Sequence, residues 1–241
     1  MKIRAASLVF LLVFTFSLAG PFVYAGSPEL DHRVWESGKV LSEVMAMPEQ
    51  SIPEELLAKC KGIAIYPSVL KGGFIIGARF GKGVVLRRDE ATGKWGPVAF
   101  STIGGGSWGL QIGAQATDLI LVVLSDRGMD GLLQSNFTMG ADAAVSAGPV
   151  GRTSEAATDL TLKAGILSYS RSRGLFAGLS LEGAVLTEDN NSNTAYYGKY
   201  TTSRDVLFGN AVQVQSSSQE LVNSLNEYSS RWYKRVGTKS R

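Results

Sequence analysis

One cysteine and one histidine are all that this chain of 241 residues offers of the two side chains most used for metal binding and nucleophilic catalysis. With Cys60 alone, no intramolecular disulfide can form, so apolar burial has to hold the fold. With only His32 beside it, a Cys/His zinc site within one chain is excluded. The same poverty disposes of a tempting motif. Gly105-Gly106-Ser107-Trp108-Gly109 fits the nucleophile-elbow pattern, but Ser107 would need a base, and His32 lies far upstream of it, where that fold has its histidine follow the acid. No catalytic residue is therefore expected. Acidic residues are absent from Lys59 to Arg88, a stretch that holds seven bases. A run of apolar residues long enough to cross a bilayer is missing too: DLILVVLS, Asp118 to Ser125, is too short and reads as a buried strand.

What is present is glycine, and it is concentrated. Gly62 to Gly113 holds 13 of the 28 glycines, and Phe74, Ile76, Ala78 and Phe80 alternate with the two-residue period of a strand. The stretch reads as consecutive antiparallel strands in which glycine permits bulges, sharp curvature or close backbone approach. Gly104, Gly106 and Gly109 also match a dinucleotide fingerprint, but the following LQIGAQA alternates like a strand where the fingerprint needs a helix. Asp189, Asn191 and Asn193 imitate a calcium loop. Thr194 replaces its glycine and Tyr200 its glutamate, so DNNSN reads as a polar turn, and neither metal nor cofactor is expected.

The chain divides by charge and periodicity. Lys2 and Arg4, the apolar run Ala5 to Ala19 and the small residues of Val23-Tyr24-Ala25 make residues 1–25 a secretory leader, with a mature chain starting at Gly26. Without the leader, 22 bases face 21 acids. The charge is segregated, since the last eleven residues are purely basic where they are charged at all. Residues 26–50 form an amphipathic helix with Leu30, Val34, Leu41, Val44 and Met45 on one stripe beside Trp35. That stripe suits packing on the core, or a membrane surface as the sharper alternative. Ser51-Ile52-Pro53-Glu54 reads as a capping box opening a short helix that ends at Gly62. A brief helix is expected at Met129 to Gln134, with strands at Phe137–Ala147, Leu160–Tyr169 and Leu175–Leu186. Residues 211–241 close the chain with an amphipathic helix and a basic end, in which Leu221, Leu225, Tyr228 and Trp232 recur at helical spacing.

Several ordered blocks together resemble the SYLF lipid-binding domain family. They are IPEELLAKCKGIAIYPSVLKGGFIIGARFGKGVVLRR, WGPVAF with GGGSWGLQIGAQATDLILVV, MGADAAVSAGPVGR, YSRSRGLFAGLSLEG and RDVLFGN, and they place the domain within residues 51–210. The resemblance implies a noncatalytic domain that binds anionic phospholipids; eukaryotic relatives are associated with phosphoinositides and some with actin. The leader argues against actin here, and for an exported, periplasmic or secreted protein peripheral to a membrane. No nucleic-acid partner is expected.

The expected fold is α+β: a strongly bent antiparallel sheet, barrel-like in its curl, covered by N- and C-terminal helices. Basic turns, chiefly Lys71, Lys82, Arg87 and Arg88, would meet lipid phosphates, with Trp108 or an amphipathic helix supplying apolar contact. The alternative is a structural or protein-interaction module of the cell envelope built on the same sheet.

Overall fold

The computed structural model describes residues 27–47, 49–151, 165–172, 175–176 and 181–239. The expected leader therefore lies outside the described residues. Two strands dominate: β1, Gly62–Arg88, and β2, Trp95–Val123, of 27 and 29 residues. They form one antiparallel hairpin, in register from Gly62↔Val123 to Arg88↔Trp95, around a turn in which Asp89 accepts hydrogen bonds from the Thr92 N–H and hydroxyl. The glycine-rich segment is thus two long strands and not a series of short ones.

Drawn straight, β1 would run roughly 90 Å. It folds back on itself instead. The Arg88 N–H donates to the Lys61 carbonyl at 2.8 Å, a Cβ on Gly62 would stand 2.8 Å from the Leu86 carbonyl oxygen, and one on Gly81 would stand 3.3 Å from Val69 Cα. The hairpin is accordingly bent near its middle, where the register slips between Gly73 and Ile75, with a second irregularity between Tyr66 and Val69. Glycine is required where the halves of β1 meet: a side chain on Gly83 would collide with the Ile65 carbonyl and the Tyr66 ring.

After β2 come short helices and edge strands, and then a long C-terminal helix. With α1 at Pro28–Met45 and α2 at Glu54–Lys59, the chain continues through α3 (Asp126–Gly131), β3 (Phe137–Thr138), β4 (Val145–Ala147), β5 (Ile166–Ser172), β6 (Leu175–Phe176), β7 (Val185–Glu188), α4 (Asn190–Tyr197), α5 (Ser203–Leu207) and α6 (Gln219–Lys239). β2 carries β5 along residues 118–123 and β7 along residues 101–104; β3 joins β7, and β4 joins β5 in parallel. Among the described residues the result is a seven-stranded, strongly curled sheet with N- and C-terminal helices, the expected α+β architecture.

Both faces of the sheet are buried around the open end of the hairpin. Ile63, Ile65, Val84, Leu86, Phe100, Ile120 and Val122 pack beneath Leu30, Val34, Leu41 and Val44 of α1, Leu57 of α2 and Leu221 and Leu225 of α6. The alternate residues Tyr66, Val69, Val85, Ile103, Leu119 and Leu121 pack on Met129, Leu132, Phe137, Leu186 and Leu207. Burial on both sides is why LILVV, Leu119 to Val123, is an unbroken apolar run. It also decides the role of α1, whose apolar stripe is spent on the core while Trp35 stays exposed.

Four local expectations are corrected. Ser51 is not a cap, because α2 starts at Glu54 with Pro53 in the N-cap position; the reciprocal capping box occurs instead at Thr202 and Asp205 of α5. The brief helix begins at Asp126, capped by Ser125, three residues before the expected start. The Asn-rich segment is helical. Asp189 accepts from the Ser192 N–H at 3.0 Å, Gly198 closes the helix with φ of 69°, and Tyr196 packs edge-on to Phe100 at 5.0 Å. Caps and tertiary packing override the low helix propensity of asparagine there. The expected strand over 137–147 is two short strands, β3 and β4, separated by a turn.

Candidate functional site

The bent end of the hairpin, residues 67–83 of β1 and 101–117 of β2, contains ten glycines and no acidic residue, and its charges are Lys71, Arg79 and Lys82. Lys82 follows the parity of Val84 and leaves the sheet on the face covered by α1. Its ammonium lies 3.4 Å from Glu29 at the start of that helix, and its side chain is 48 % exposed. Lys71 follows the parity of Val69, leaves on the other face, and is half-buried without an ion pair among the described residues. Arg79 is buried beside the bend and donates to the Gly106 carbonyl at 3.4 Å, and burial lowers the pKa of its guanidinium.

The remaining expected site residues lie elsewhere. Arg87 and Arg88 are at the turn of the hairpin, which the fold-back sets against its open end, and lie roughly 16 Å and more along the strand from Lys82. Arg87 stacks on the Phe208 ring at 4.4 Å and donates to the Leu207 carbonyl at 3.5 Å. Arg88 is buried, its guanidinium against Gly93 and its Nε without a hydrogen-bond partner. These two arginines serve packing at the turn, so the acid-free run does not present one surface. Trp108 pairs with Ile76 across the hairpin, and its side chain lies outside the described residues. Ser107 stands opposite Gly77 in the same ladder, with no strand-to-helix elbow around it.

The reading of the sequence missed two apolar residues at the bend. Leu70 is 58 % exposed and Phe80 53 % exposed. They are i and i+10: strand parity puts them on one face, but only the fold-back of β1, which sets Gly81 against Val69, brings their positions near each other.

A second basic pole sits at the opposite end of the sheet. Arg235 pairs with Glu54 at 2.6 Å, Arg231 with Glu227 at 2.7 Å, the Tyr233 hydroxyl donates to the Ala58 carbonyl at 3.1 Å, and Lys59 lies over the Trp232 ring at 5.9 Å. The basic end of α6 is thereby docked on α2, and much of its charge is answered by carboxylates. Helix α1 is tied across the sheet by buried Arg33, which reaches Glu29 at 3.1 Å and Asp189 at 3.6 Å over the Phe100 ring, and by Glu43 with Arg171, which also donates to Asp118 at 2.8 Å. Among the described residues no group of His, Cys, Asp and Glu could hold a metal ion, and no helix is long and apolar enough to cross a membrane.

Comparison with known proteins bears on this arrangement. The family model Ysc84, described as Las17-binding protein actin regulator, matches residues 104–228. The chain is 36 % identical over 186 residues to SH3 domain-containing YSC84-like protein 1 of Rattus norvegicus, covering 77 % of this chain and 54 % of the relative. The Homo sapiens protein of the same name is 35 % identical over the same length and shares. Protein YSC84 of Saccharomyces cerevisiae is 35 % identical over 181 residues, which are 73 % of this chain and 38 % of that protein. The chain spans about half the length of the animal relatives it matches.

Proposed function

Because this chain belongs to the Ysc84 (SYLF) family, whose named relatives are binding and regulatory proteins, we propose that it is a noncatalytic module that binds anionic phospholipid surfaces peripherally, with the bent end of the β1–β2 hairpin as its contact. The observation that carries this reading is the acid-free bend with Lys71 and Lys82 on its two faces. An anionic surface meets two cations there and no carboxylate within the strands. Each cation near such a surface is worth about 1 kcal/mol, which supports reversible association and not permanent anchoring.

The test is cosedimentation with vesicles of phosphatidylcholine, with and without phosphatidylserine. Wild type should sediment only when phosphatidylserine is present. Lys71→Glu with Lys82→Glu should remove binding by reversing two charges, about 4 kcal/mol of attraction at low salt, and should leave the circular-dichroism spectrum unchanged. Equal sedimentation of the folded variant would sink the basic-bend mechanism.

The leader read in residues 1–25 would set this activity in an exported compartment, peripheral to a membrane; an intact mass beginning at Gly26 tests that assignment. A second reading, a protein-interaction module, is favoured by one finding: the family description names an actin regulator and Las17 binding. Cosedimentation with actin filaments in the absence of lipid tests it. Binding there that survives reversal of Lys71 and Lys82 would favour the protein-interaction reading.

A further inference from the structure

Leu70 and Phe80 project from the same face of the sheet. Leu70 is paired with Ala116 and Phe80 with Gly104, whose strand neighbours Ile120, Val122, Val98 and Phe100 pack beneath the helices. Val69 and Gly81, the residues next to them, are in contact across the fold-back of β1. Two large apolar side chains therefore leave adjacent positions on the helix-covered face, past the end of α1 that Glu29 and Lys82 mark. Ala78 and Ala116 beside them are exposed as well. Two other exposed rings carry a cation, with Lys39 over Trp35 and Arg87 and Arg204 over Phe208, while the exposed rings of Tyr200 and Tyr233 end in a polar hydroxyl. Leu70 and Phe80 have no such cover among the described residues.

We propose that Leu70 and Phe80 form a wedge that enters the headgroup–acyl boundary of an anionic membrane and fixes the protein with the hairpin bend toward the bilayer. This rests on the phospholipid reading above and adds to it the apolar element and the orientation. Three observations select a membrane over a protein groove or a second copy. Neither strand carries an acidic residue from position 67 to 88 or from 95 to 117, so burying this end in an anionic headgroup layer desolvates no carboxylate of the strands. Lys71 and Lys82 flank the pair from the two faces, where ammonium groups on flexible stems reach phosphates while the apolar pair goes deeper. The β1–β2 ladder runs through the bend, with Gly73↔Gly113 and Ile75↔Gly109 still paired, so shallow entry leaves the backbone groups of this pairing satisfied. A wedge of this kind reaches about 5–10 Å into the interface. It also points the docked, basic end of α6 away from the bilayer.

The experiment uses the full chain and cysteine labelling. Cys60 is buried, donates to the Leu57 carbonyl, and has its thiol pushed up to about 12 by burial, so a thiol-reactive environment-sensitive dye labels introduced cysteines and spares it. Dye is placed through Leu70→Cys, Phe80→Cys and, as a control in the exposed turn at the other end of the hairpin, Lys94→Cys. Vesicles are phosphatidylcholine with or without phosphatidylserine, with and without a lipid-borne nitroxide quencher. Dye at 70 and 80 should shift to the blue and be quenched only with phosphatidylserine vesicles, while dye at 94 stays unchanged. Leu70→Ser with Phe80→Ser should weaken binding on the order of thirtyfold, from two half-exposed apolar side chains denied burial, and keep the salt dependence. If the labelled proteins sediment but the dye at 70 and 80 stays silent, the wedge is wrong and the phospholipid reading stands. If wild type does not sediment at all, both fall. A blue shift without vesicles that grows with protein concentration would mean that a second copy covers the pair, which also overturns the wedge.

Discussion

Replacing Glu29 with glutamine should tighten binding to anionic vesicles, and the reason lies in one ion pair. Glu29 is 72 % exposed and lies 3.4 Å from the Lys82 ammonium and 3.1 Å from buried Arg33. Its hydrogen bond to Lys82, then the Lys82 charge, then Arg33 hold its carboxyl below the ordinary value of 4.5, so at neutral pH it is an anion at the rim of the proposed contact. That anion is repelled by the membrane and holds Lys82 to itself. The amide keeps the shape and removes the charge. One unit of charge near an anionic surface corresponds to about fivefold in affinity, and the gain should shrink toward nothing as salt shortens the Debye length to about 3 Å near 1 M. Arg33 retains Asp189 at 3.6 Å and the Phe100 ring, so the melting temperature should move by no more than about 2 °C. The control is Glu227→Gln, which changes net charge equally but frees Arg231 at the far end of the molecule. Vesicle titrations of the two variants at low and high salt decide the matter. If Glu29→Gln binds no better than wild type, or Glu227→Gln gains as much, the bend is not the contact and only the total charge matters. Lowering pH gives the same sign by another route. The Glu29 pair contributes to folding above pH 4.5 and is lost as pH falls through the depressed carboxyl value, and protonation there should likewise release Lys82.

Asn193→Ala should cost about 2 to 3 kcal/mol in urea denaturation, since fully buried Asn193 accepts from the Phe100 N–H at 2.8 Å and donates to the Ser203 hydroxyl at 3.0 Å; alanine takes this acceptor from the Phe100 N–H and leaves the Ser203 hydroxyl only Asn190 at 3.4 Å. An exposed-site cost of a few tenths would show that the α4 anchor is not formed. Gly83→Ala should destabilise by about 3 kcal/mol through collision with the Ile65 carbonyl and the Tyr66 ring, whereas Gly106→Ala, where a Cβ meets nothing within 4 Å, should fold normally; equal melting temperatures would refute the fold-back of β1. Burial raises the phenol pKa of Tyr66, Tyr169, Tyr196 and Tyr197 and pushes the Cys60 thiol up to about 12. Because folded values above the unfolded ones favour the protonated native form, these groups should leave stability flat from neutrality to pH 9 and lower it as pH rises past the ordinary values of 9.0 and 10.0. A protein whose melting temperature is level to pH 11 would contradict that burial.

Much of this protein can be read without a structure because its physics is local. Two-residue alternation with dense glycine identifies a bent antiparallel sheet, and the stripes Leu30–Val34–Leu41–Val44 and Leu221–Leu225 identify the covering helices, since those periods belong to one element at a time. The lack of acids from Lys59 to Arg88 likewise marks the basic strand. Sequence cannot say which of those bases share a surface, because β1 returns along itself. The fold-back sends Arg87 and Arg88 to the open end, where Phe208 and Gly93 absorb them, and leaves Lys71 and Lys82 at the bend. It also brings the positions of Leu70 and Phe80, ten residues apart, near each other through the approach of Val69 to Gly81, which no period along the chain encodes. The Asn-rich α4 shows the same limit from the other side. Its residues prefer turns, and the caps at Asp189 and Gly198, the buried Asn193 and the packing of Tyr196 on Phe100 make it a helix. Composition and period determined which elements exist and what charge they carry; the curl of one hairpin decided which side chains face outward together, because proximity across a fold-back is a property of the closed chain and not of any window along it.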